Sequence, residues 1–421
     1  MSRILSHRVA GGVLLLLALL LTPAVAAAGF LAAAFVTASV PVLVVVGLVC
    51  GALAGGLLGR AAFALVGLGR RPALRASAFF TVGLTAAVAV LAAVTVLRPM
   101  PTTTAAPVPP GVRFWDLPTG SRIAYVHAPA AGKARPTPVI FLHGGPGTPA
   151  EGVPTGGREL AADGFDVYSY DQLGAGRSTR LRDITGYTVA RQVADLEAIR
   201  RTLGADRIIL VGQSWGGSLT AQYLAAHGGH VAKAVFTSPG ALWGRQYPGP
   251  KAGEPWNRLS PAQKARLDRL NSAPRIIAAS LLLQINPGAA HALVGDREVD
   301  HWMHEVALQG KDSTSCEGAS PTTAHDNPQG FYSNQMTVRD FEQLPDPRPR
   351  LRTLRVPSLI MRGECDFIKP AVTAEYQHTL AGSELVTVKG AGHSISGEQP
   401  ARYTALLRAF LLDEPLPTGT G

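Results

Sequence analysis

Residues 207–217 read R-I-I-L-V-G-Q-S-W-G-G, a β-branched run that leads directly into a glycine-flanked serine. The run predicts a buried strand, and the residues after it predict a helix near 214–228. A serine between two such elements lies on a sharp turn, where its hydroxyl protrudes from the top of a sheet. Gly212 and Gly216 suit that turn because a side chain at either position would collide with neighbouring backbone. The stretch therefore predicts that Ser214 is a nucleophile in an α/β fold.

A serine hydroxyl needs a base to take its proton, and the base needs a carboxylate to orient it. In this kind of fold the chain order is serine, acid, histidine. Asp366 follows the strand V-P-S-L-I-M within G-E-C-D, and His393 follows the strand E-L-V-T-V within G-A-G-H-S. Glu364 competes for the role of the acid but lies nearer the strand. We therefore predict a catalytic triad of Ser214, Asp366 and His393.

The glycine-rich sequence H-G-G-P-G at 143–147 follows the strand P-V-I-F-L. Backbone N–H groups in such a turn can point inward and stabilise the oxyanion of a tetrahedral intermediate. We predict that the N–H groups of Gly145 and Trp215 form this oxyanion hole, with Gly144 as the alternative to Gly145. His143 is expected to support the loop rather than to transfer protons.

A second glycine-containing loop, D-Q-L-G-A-G-R-S, occupies residues 171–178. It lacks both the G-x-G-x-x-G spacing and the lysine of a phosphate-binding loop. The loop is therefore predicted to be a structural turn beside the site, with Asp171 and Arg177 in local hydrogen bonds.

Short β-branched runs alternate with helical segments after residue 111, which predicts a mostly parallel sheet with helices on both faces. Strands are predicted near 121–127, 138–142, 166–170, 207–212, 232–236, 356–361 and 384–388, and helices near 187–203, 214–228, 370–381 and 398–412. Between about 241 and 350 helical, proline-rich sequence replaces the strands. This insertion predicts a helical cap over the carboxyl ends of the strands, where ligands bind in open α/β sheets.

The predicted cap contains D-H-W-M-H-E at 300–305. His301 and His304 lack H-E-x-x-H spacing and a third ligand, so no metal is expected. Trp302 is expected to pack the cap, and Glu305 is a candidate for holding a free amine of the substrate by charge-assisted hydrogen bonds. Asp300 and Glu317 are weaker candidates for that role.

The first 110 residues contain seven arginines and no aspartate, glutamate or lysine, although the whole chain carries a net charge of +10. No charged residue occurs between Arg8 and Arg60, which is long enough for two membrane crossings. Pro23 and Pro41 are expected to interrupt this run. The predicted membrane-spanning helices lie at about 9–29, 36–58 and 76–97. The basic excess thus reflects membrane topology, and no nucleic-acid partner is expected.

Arginine placement also predicts orientation, because loops rich in arginine remain in the cytoplasm. Arginines precede the first span and fill the loop between the second and third, so the domain after Arg98 is expected on the extracytoplasmic side of the cell membrane. A cleavable signal peptide is the alternative for the first span. In an oxidising compartment Cys316 and Cys365 could form a disulfide, and two free thiols are the alternative.

These assignments divide the chain into four regions. They are a membrane region at 1–98, a Pro/Thr-rich linker at 99–111, an α/β core at 112–240 and 351–413, and the cap at 241–350.

Taken together, H-G-G-P-G, D-Q-x-G-x-G-R-S and G-x-S-W-G-G resemble the proline iminopeptidase branch of the α/β-hydrolase superfamily over about residues 112–413. The resemblance implies the same triad and oxyanion donors, and cap glutamates that hold the amine of an N-terminal residue. W-x-x-E at 302–305 is similar to such a cap motif. F-Y-S-N at 331–334 is similar to another, but the glutamate expected before it is missing. Leu173 also replaces the usual arginine of D-Q-R-G.

The sequence thus predicts a membrane-anchored serine hydrolase that cleaves small amide or peptide substrates, an aminopeptidase related to proline iminopeptidase. The alternative is an ester or lipid-like substrate for the same triad, suggested by the anchor and by the apolar cap segment 276–285. A third hypothesis is an inactive hydrolase fold that serves as a binding domain. No cofactor is expected. The expected partners are the substrate and the lipid bilayer.

Overall fold

The computed structural model describes residues 2–102, 107–245, 255–318 and 325–418. Residues 103–106 of the predicted linker, and residues 246–254 and 319–324 of the predicted cap, lie outside the described part. The chain forms two compact units. The helical unit comprises Met1–Pro101 and Arg269–Glu298, and the sheet unit comprises Thr102–Asp268 and Val299–Gly421.

In chain order the described helices are α1 (Ser2–Ala33), α2 (Val40–Leu65), α3 (Arg70–Val94), α4 (Gly157–Ala162), α5 (Val189–Thr202), α6 (Trp215–His227), α7 (Pro261–Asn271), α8 (Pro274–Ile285), α9 (Pro287–Leu293), α10 (Asp296–Gly310), α11 (Phe331–Phe341), α12 (Arg348–Leu351), α13 (Pro370–Thr379), α14 (Ile395–Glu398) and α15 (Pro400–Leu411). The described strands are β1 (Arg113–Asp116), β2 (Arg122–Ala128), β3 (Val139–Leu142), β4 (Val167–Tyr170), β5 (Ile208–Gln213), β6 (Val231–Thr237), β7 (Ser358–Gly363) and β8 (Glu384–Val388).

In the helical unit, α1, α2 and α3 are each long and apolar enough to cross a membrane. Pro41 lies in the first turn of α2, where a proline costs no helical hydrogen bond. The prediction that Pro23 interrupts the run is wrong, because α1 continues through it to Ala33. In apolar helices the groups that a proline leaves unpaired can be satisfied by local adjustment and by neighbouring helices.

A row of glycines explains how closely α1 and α2 approach each other. Gly47, Gly51, Gly55 and Gly59 recur every fourth residue and are all buried. A Cβ at Gly47 would lie 2.7 Å from the Ala26 carbonyl oxygen, and Cβ atoms at the next two glycines would meet α1 at similar distances. Small residues at this spacing let helices pack backbone to backbone.

The sheet unit is built on eight strands in the order β1-β2-β4-β3-β5-β6-β7-β8. The first two pairings are antiparallel and all later ones are parallel. The seven predicted strands are confirmed to within two residues. Strand β1 was not predicted, because R-F-W-D is a four-residue edge strand with only one buried side chain.

Both faces of the central strand β5 are buried, as expected for a continuous β-branched run in a parallel sheet. On one face Ile209 and Val211 pack in an apolar cluster with Leu406 and Phe410 of α15. Leu210 points to the opposite face and is also fully buried. The parallel strands therefore end together at one carboxyl edge, which carries the candidate site.

The compact units do not follow the predicted cap boundaries. Residues 269–298, including α8 and α9, belong to the helical unit, while the rest of the predicted cap at 241–350 belongs to the sheet unit.

Candidate active site

Ser214 joins β5 to α6 and has φ 52° and ψ −115°. A non-glycine residue in this region is strained by about 1–3 kcal/mol and persists only where the surroundings impose it. The Ser214 N–H donates to the Thr237 carbonyl oxygen of β6 at 3.0 Å, and the Gly217 N–H donates to the Ser214 carbonyl oxygen at 2.9 Å. These bonds fix the backbone on both sides of the turn and leave the side chain at the carboxyl edge of the sheet.

The glycines around Ser214 are required by close backbone approach, as predicted. A Cβ at Gly216 would collide with the carbonyl oxygen of Leu142 at the end of β3. A Cβ at Gly212 would collide with the carbonyl oxygen of Gly216 itself. Strand β3, the turn and the first turn of α6 are therefore packed backbone against backbone.

Asp366 and His393 lie on the loops after β7 and β8, and His393 Nδ1 is 2.8 Å from Asp366 Oδ1. Asp366 is buried, and its Oδ1 also accepts a hydrogen bond from the Ile368 N–H at 3.0 Å. Burial by itself would raise the pKa of the Asp366 carboxyl. The hydrogen bond and charge of His393, with the Ile368 N–H, nevertheless hold this pKa below its ordinary value. Because the carboxylate can only accept, His393 Nδ1 carries the proton and Nε2 is left as the basic nitrogen.

Glu364, the competing acid, has a different hydrogen-bond partner. Its Oε2 accepts a hydrogen bond from the Gly390 N–H at 3.0 Å and so joins the loops after β7 and β8. This contact favours Asp366 as the partner of His393.

Hydrogen bonds across neighbouring strand ends connect the Ser214 turn to β7, the strand that precedes Asp366. The Ser214 N–H donates to the Thr237 carbonyl oxygen. Ser238, the residue after Thr237, donates its N–H to the Met361 carbonyl oxygen of β7 at 2.7 Å.

Among the described residues no hydrogen bond joins the Ser214 hydroxyl to the His393 ring. Such catalytic hydrogen bonds commonly tighten only when substrate binds.

The H-G-G-P-G loop lies directly over the serine. A Cβ at Gly144 would lie 3.2 Å from the Ser214 Cβ. Within the described ranges the backbone N–H groups of Gly145 and Trp215 have no hydrogen-bond acceptor, and the same holds for the backbone N–H of Gly144. These N–H groups are therefore available as oxyanion donors, and Gly144 stays open as the alternative to Gly145.

The side chain of His143, the first residue of this loop, is buried, and both of its ring nitrogens form hydrogen bonds. Its Nδ1 lies 2.8 Å from the Gly144 carbonyl oxygen, and its Nε2 accepts a hydrogen bond from the Gln172 N–H at 2.9 Å. Burial lowers the pKa of His143 to about 4, although the bond to Gly144 opposes the shift. A neutral ring with both nitrogens engaged supports the loop, as predicted.

The D-Q-L-G-A-G-R-S loop is a structural turn, as predicted. Asp171 Oδ2 accepts from the Arg177 N–H at 2.8 Å, and Oδ1 accepts from Asn327 Nδ2 at 2.9 Å. The Arg177 guanidinium donates to both carboxylate oxygens of Glu151 at 3.1 Å. Burial raises the pKa of Asp171 to about 6.

Two residues at the start of α11 and just before it brace the H-G-G-P-G loop, and the sequence does not predict this contact. Gly330 donates its N–H to the Gly147 carbonyl oxygen at 2.8 Å, and Asn334 Nδ2 donates to the Pro146 carbonyl oxygen at 2.7 Å. F-Y-S-N was noted only as a family resemblance, because nothing in its composition indicates which carbonyl oxygens it meets.

The cap residues predicted to bind substrate lie on α10. The Trp302 ring contacts Phe331 edge to face, with 5.6 Å between ring centroids. Glu305 is half-buried and forms no ion pair with any residue the structure describes. Asp300 is instead buried, pairs with Arg180 at 2.9 Å and accepts from the Phe331 N–H. Asp300 is thus a structural residue, and Glu305 stays a prediction as an amine ligand.

Comparison with known proteins identifies the family. Residues 137–400 match the alpha/beta hydrolase fold family. The chain belongs to the α/β-hydrolases. It is 27% identical over 311 residues to a proline iminopeptidase of Heyndrickxia coagulans, which covers 71% of this chain and 97% of that protein. It is 26% identical over 285 residues to a proline iminopeptidase of Lactobacillus helveticus strain DPC 4571, with 65% and 89% covered.

Among solved structures, the α/β-hydrolase is similar to proline iminopeptidase from Mycobacterium smegmatis. The identity is 21%, the TM-score is 0.46, and the match covers 72% of this chain and 98% of that one.

A disulfide links the loop after β7, which carries Asp366, to the segment after α10. Cys316 and Cys365 are bonded, with 5.3 Å between their Cα atoms, and Cys365 directly precedes Asp366. In the same segment the Thr314 carbonyl oxygen accepts from the His393 N–H at 2.8 Å. Glu398 Oε2 accepts from the Cys316 N–H at 3.0 Å. This segment therefore contacts both the loop that carries Asp366 and the loop that carries His393.

Removing the disulfide should lower both stability and activity. For the 49-residue separation, loss of the crosslink in a Cys316→Ser/Cys365→Ser variant should cost about 4 kcal/mol of unfolding free energy in the chain-entropy account. Loosening of the acid and base loops should lower kcat more than it raises KM. Denaturant titration and steady-state kinetics measure the two effects. Cys50→Ser, at the third cysteine, is the control, and equal values for both variants would contradict the positioning role.

The buried His143 should make stability depend on acidity. Between pH 6.5 and pH 4 the unfolded chain binds a proton that the folded chain excludes, so stability falls as the pH falls through this window. The 6.5-to-4 shift corresponds to a loss of about 3 kcal/mol, complete below pH 4. Denaturant titration at pH 7 and pH 4.5 should show a smaller pH effect for His143→Gln than for wild type. The exposed His378→Gln should match wild type, and an unchanged pH effect in His143→Gln would rule out this origin.

Proposed function

We propose that this α/β-hydrolase is a membrane-anchored serine hydrolase that cleaves small amide or peptide substrates through an acyl-enzyme. The observation that carries the proposal is the Asp366–His393 hydrogen bond of 2.8 Å, at the same sheet edge as the strained Ser214 turn. A histidine oriented by a buried carboxylate is the base that a serine nucleophile needs.

The chemistry follows from the positions of these groups. His393 Nε2 takes the Ser214 proton as the hydroxyl oxygen attacks the substrate carbonyl carbon. Asp366 holds the Nδ1–H and stabilises the imidazolium that forms. The unpaired N–H groups of Gly145 and Trp215 receive the developing oxyanion. His393 then returns the proton to the leaving group, and water hydrolyses the acyl-enzyme by the same steps.

Two further observations support an aminopeptidase. The relatives named above are proline iminopeptidases, and they align over most of their length. Glu305, half-buried on α10 beside Trp302, offers a carboxylate that could bind a substrate amine.

Leu173, which replaces the arginine of D-Q-R-G, is buried, and its carbonyl oxygen accepts from Ser333 Oγ at 2.7 Å. This position therefore supplies packing and offers no charge to a substrate.

We further propose that α1–α3 anchor the enzyme in the cell membrane, with the sheet unit on the extracytoplasmic side. The three helices have the required length and apolarity. The Cys316–Cys365 disulfide favours an oxidising compartment.

Fluorophosphonate labelling tests the nucleophile and the sidedness together. A charged fluorophosphonate that cannot cross membranes should label wild type in intact cells, and Ser214→Ala should lose the label and about 10⁴–10⁶-fold in kcat. The exposed Ser272→Ala is the matched control. Labelling that needs cell lysis would contradict the sidedness, and absence of labelling even after lysis would contradict the nucleophile.

An ester or lipid-like substrate is the alternative for the same triad, suggested by the proposed membrane anchor. Aminoacyl arylamides and short-chain p-nitrophenyl esters separate the two. Turnover of the esters alone would decide for an esterase.

Glu305→Gln should weaken binding of substrates that carry a free amine. Loss of one charge-assisted hydrogen bond of about 1.5–3 kcal/mol predicts a KM roughly 10–100-fold higher for aminoacyl arylamides. Kinetics on N-acetylated arylamides or esters should be unchanged, because they present no ammonium group. Glu317→Gln is the matched control at the weaker candidate. Unaltered arylamide kinetics in Glu305→Gln would remove Glu305 from this role.

A further inference from the structure

The apolar helix α8, P-R-I-I-A-A-S-L-L-L-Q-I, is not explained by the hydrolase reaction. Ile277 and Leu281 lie one turn apart on the same side of α8 and are 47% and 48% exposed. Among the described residues outside α1–α3 and the two short links that join these helices, only Val108 and Val338 are other large hydrophobic side chains with such exposure. An exposed apolar pair on one face indicates a surface that meets something apolar.

Polar side chains of α8 and of the residue that joins it to α9 form hydrogen bonds with the ends of α1 and α3. Arg275 donates to the Val96 carbonyl oxygen just after α3 at 2.8 Å. Asn286 Nδ2 donates to the Ala34 carbonyl oxygen just after α1 at 2.9 Å. Arg275 also pairs with Glu298, with Nη2 2.9 Å from Oε2, and both side chains are buried. A buried ion pair with matched hydrogen bonds is sensitive to geometry, so α8 has one defined position within the helical unit.

A cavity of about 390 Å³ lies between α8 and the long helices. Its walls come from the second half of α1, the first turns of α2, the end of α3 and one face of α8, including Ile277, Ala278 and Leu281. Apart from the Thr95 hydroxyl, its side chains are hydrocarbon. The volume falls within the roughly 300–1,000 Å³ of small-molecule sites.

A second cavity, of about 440 Å³, shares Thr95 and Pro274 with the first and is lined by Arg98 and Arg275. Arg275 is neutralised by Glu298. Arg98 is exposed and forms no ion pair with any described residue. An apolar cavity therefore continues into one that carries an unpaired positive charge.

We propose that the helical unit binds a phospholipid, with one acyl chain in the apolar cavity and the phosphate beside Arg98. The arrangement matches the two chemical parts of such a lipid, hydrocarbon followed by an anion. It also matches the surroundings, because α1–α3 carry apolar surface along their length, and a membrane supplies phospholipid at high local concentration. This inference rests on the proposed membrane insertion and is independent of the hydrolase reaction.

Photo-crosslinking of the full chain tests the proposal. The protein is placed in nanodiscs that contain phosphatidylglycerol with a diazirine near the middle of one acyl chain, and crosslinked peptides are mapped by mass spectrometry. Crosslinks should map to α8 and the end of α3. Ala278→Trp, which fills the cavity, should lower them about tenfold. Ser280→Trp adds the same bulk to the exposed side of α8 and should match wild type.

Two further variants keep the test decisive if Ala278→Trp fails to fold. Leu281→Gln alters an already exposed wall residue and should also lower crosslinking. Arg98→Gln should lower crosslinking by the phosphatidylglycerol probe but not by a diacylglycerol that carries the same diazirine chain. Equal crosslinking in Ala278→Trp, Leu281→Gln and Ser280→Trp would overturn the proposal. Co-purification of a bound foreign peptide instead of a phospholipid would also overturn it.

Fluorophosphonate labelling of Ser214 distinguishes this result from the fate of the proposed function. Labelling should stay at the wild-type level in the α8 variants, since the nucleophile belongs to the other compact unit. Lost lipid crosslinking with intact labelling supports the lipid site, whereas intact crosslinking in a protein that never labels would contradict only the hydrolase reaction.

Discussion

The site depends on one constraint, the backbone contact between the end of β3 and the first turn of α6. Because the Leu142 carbonyl oxygen leaves no room for a Cβ at Gly216, the turn between β5 and α6 is compact enough to hold Ser214 at positive φ. The hydrogen bond from Ser214 to Thr237 resists relaxation of that conformation. The same contact brings the H-G-G-P-G loop over the serine. The proposed nucleophile and the proposed oxyanion donors are therefore positioned by one packing arrangement.

The loops that carry Asp366 and His393 are held by a different set of contacts. Asp366 and His393 lie on loops, and loops are the parts of a fold most free to move. Each loop is bonded to the segment that follows α10. The loop of Asp366 is joined to it by the Cys316–Cys365 disulfide, and the His393 N–H donates to the Thr314 carbonyl oxygen. A segment from the predicted cap thus helps to order the loops that carry Asp366 and His393.

The sequence was sufficient to predict seven of the eight described strands, the serine turn and the placement of Asp366 and His393 after strands, because each depends on local pattern and chain order. It could not reveal that Asn334 braces the Pro146 carbonyl, since that contact joins residues far apart in the chain. The continuation of α1 through Pro23 and the grouping of 269–298 with the long helices likewise depend on tertiary packing. The ligand role of Glu305 is still a prediction, because it concerns a molecule that the chain itself does not encode.

The disulfide beside Asp366 has a consequence for timing. Thiols are generally kept reduced in the cytoplasm, so with the proposed topology the bond between Cys316 and Cys365 would form only after the sheet unit has crossed the membrane. With the sheet unit exported as proposed, a newly made hydrolase would reach its final order at the acid loop only on the far side. Cytoplasmic peptides would then be spared during synthesis, because maturation of the enzyme would be coupled to its delivery.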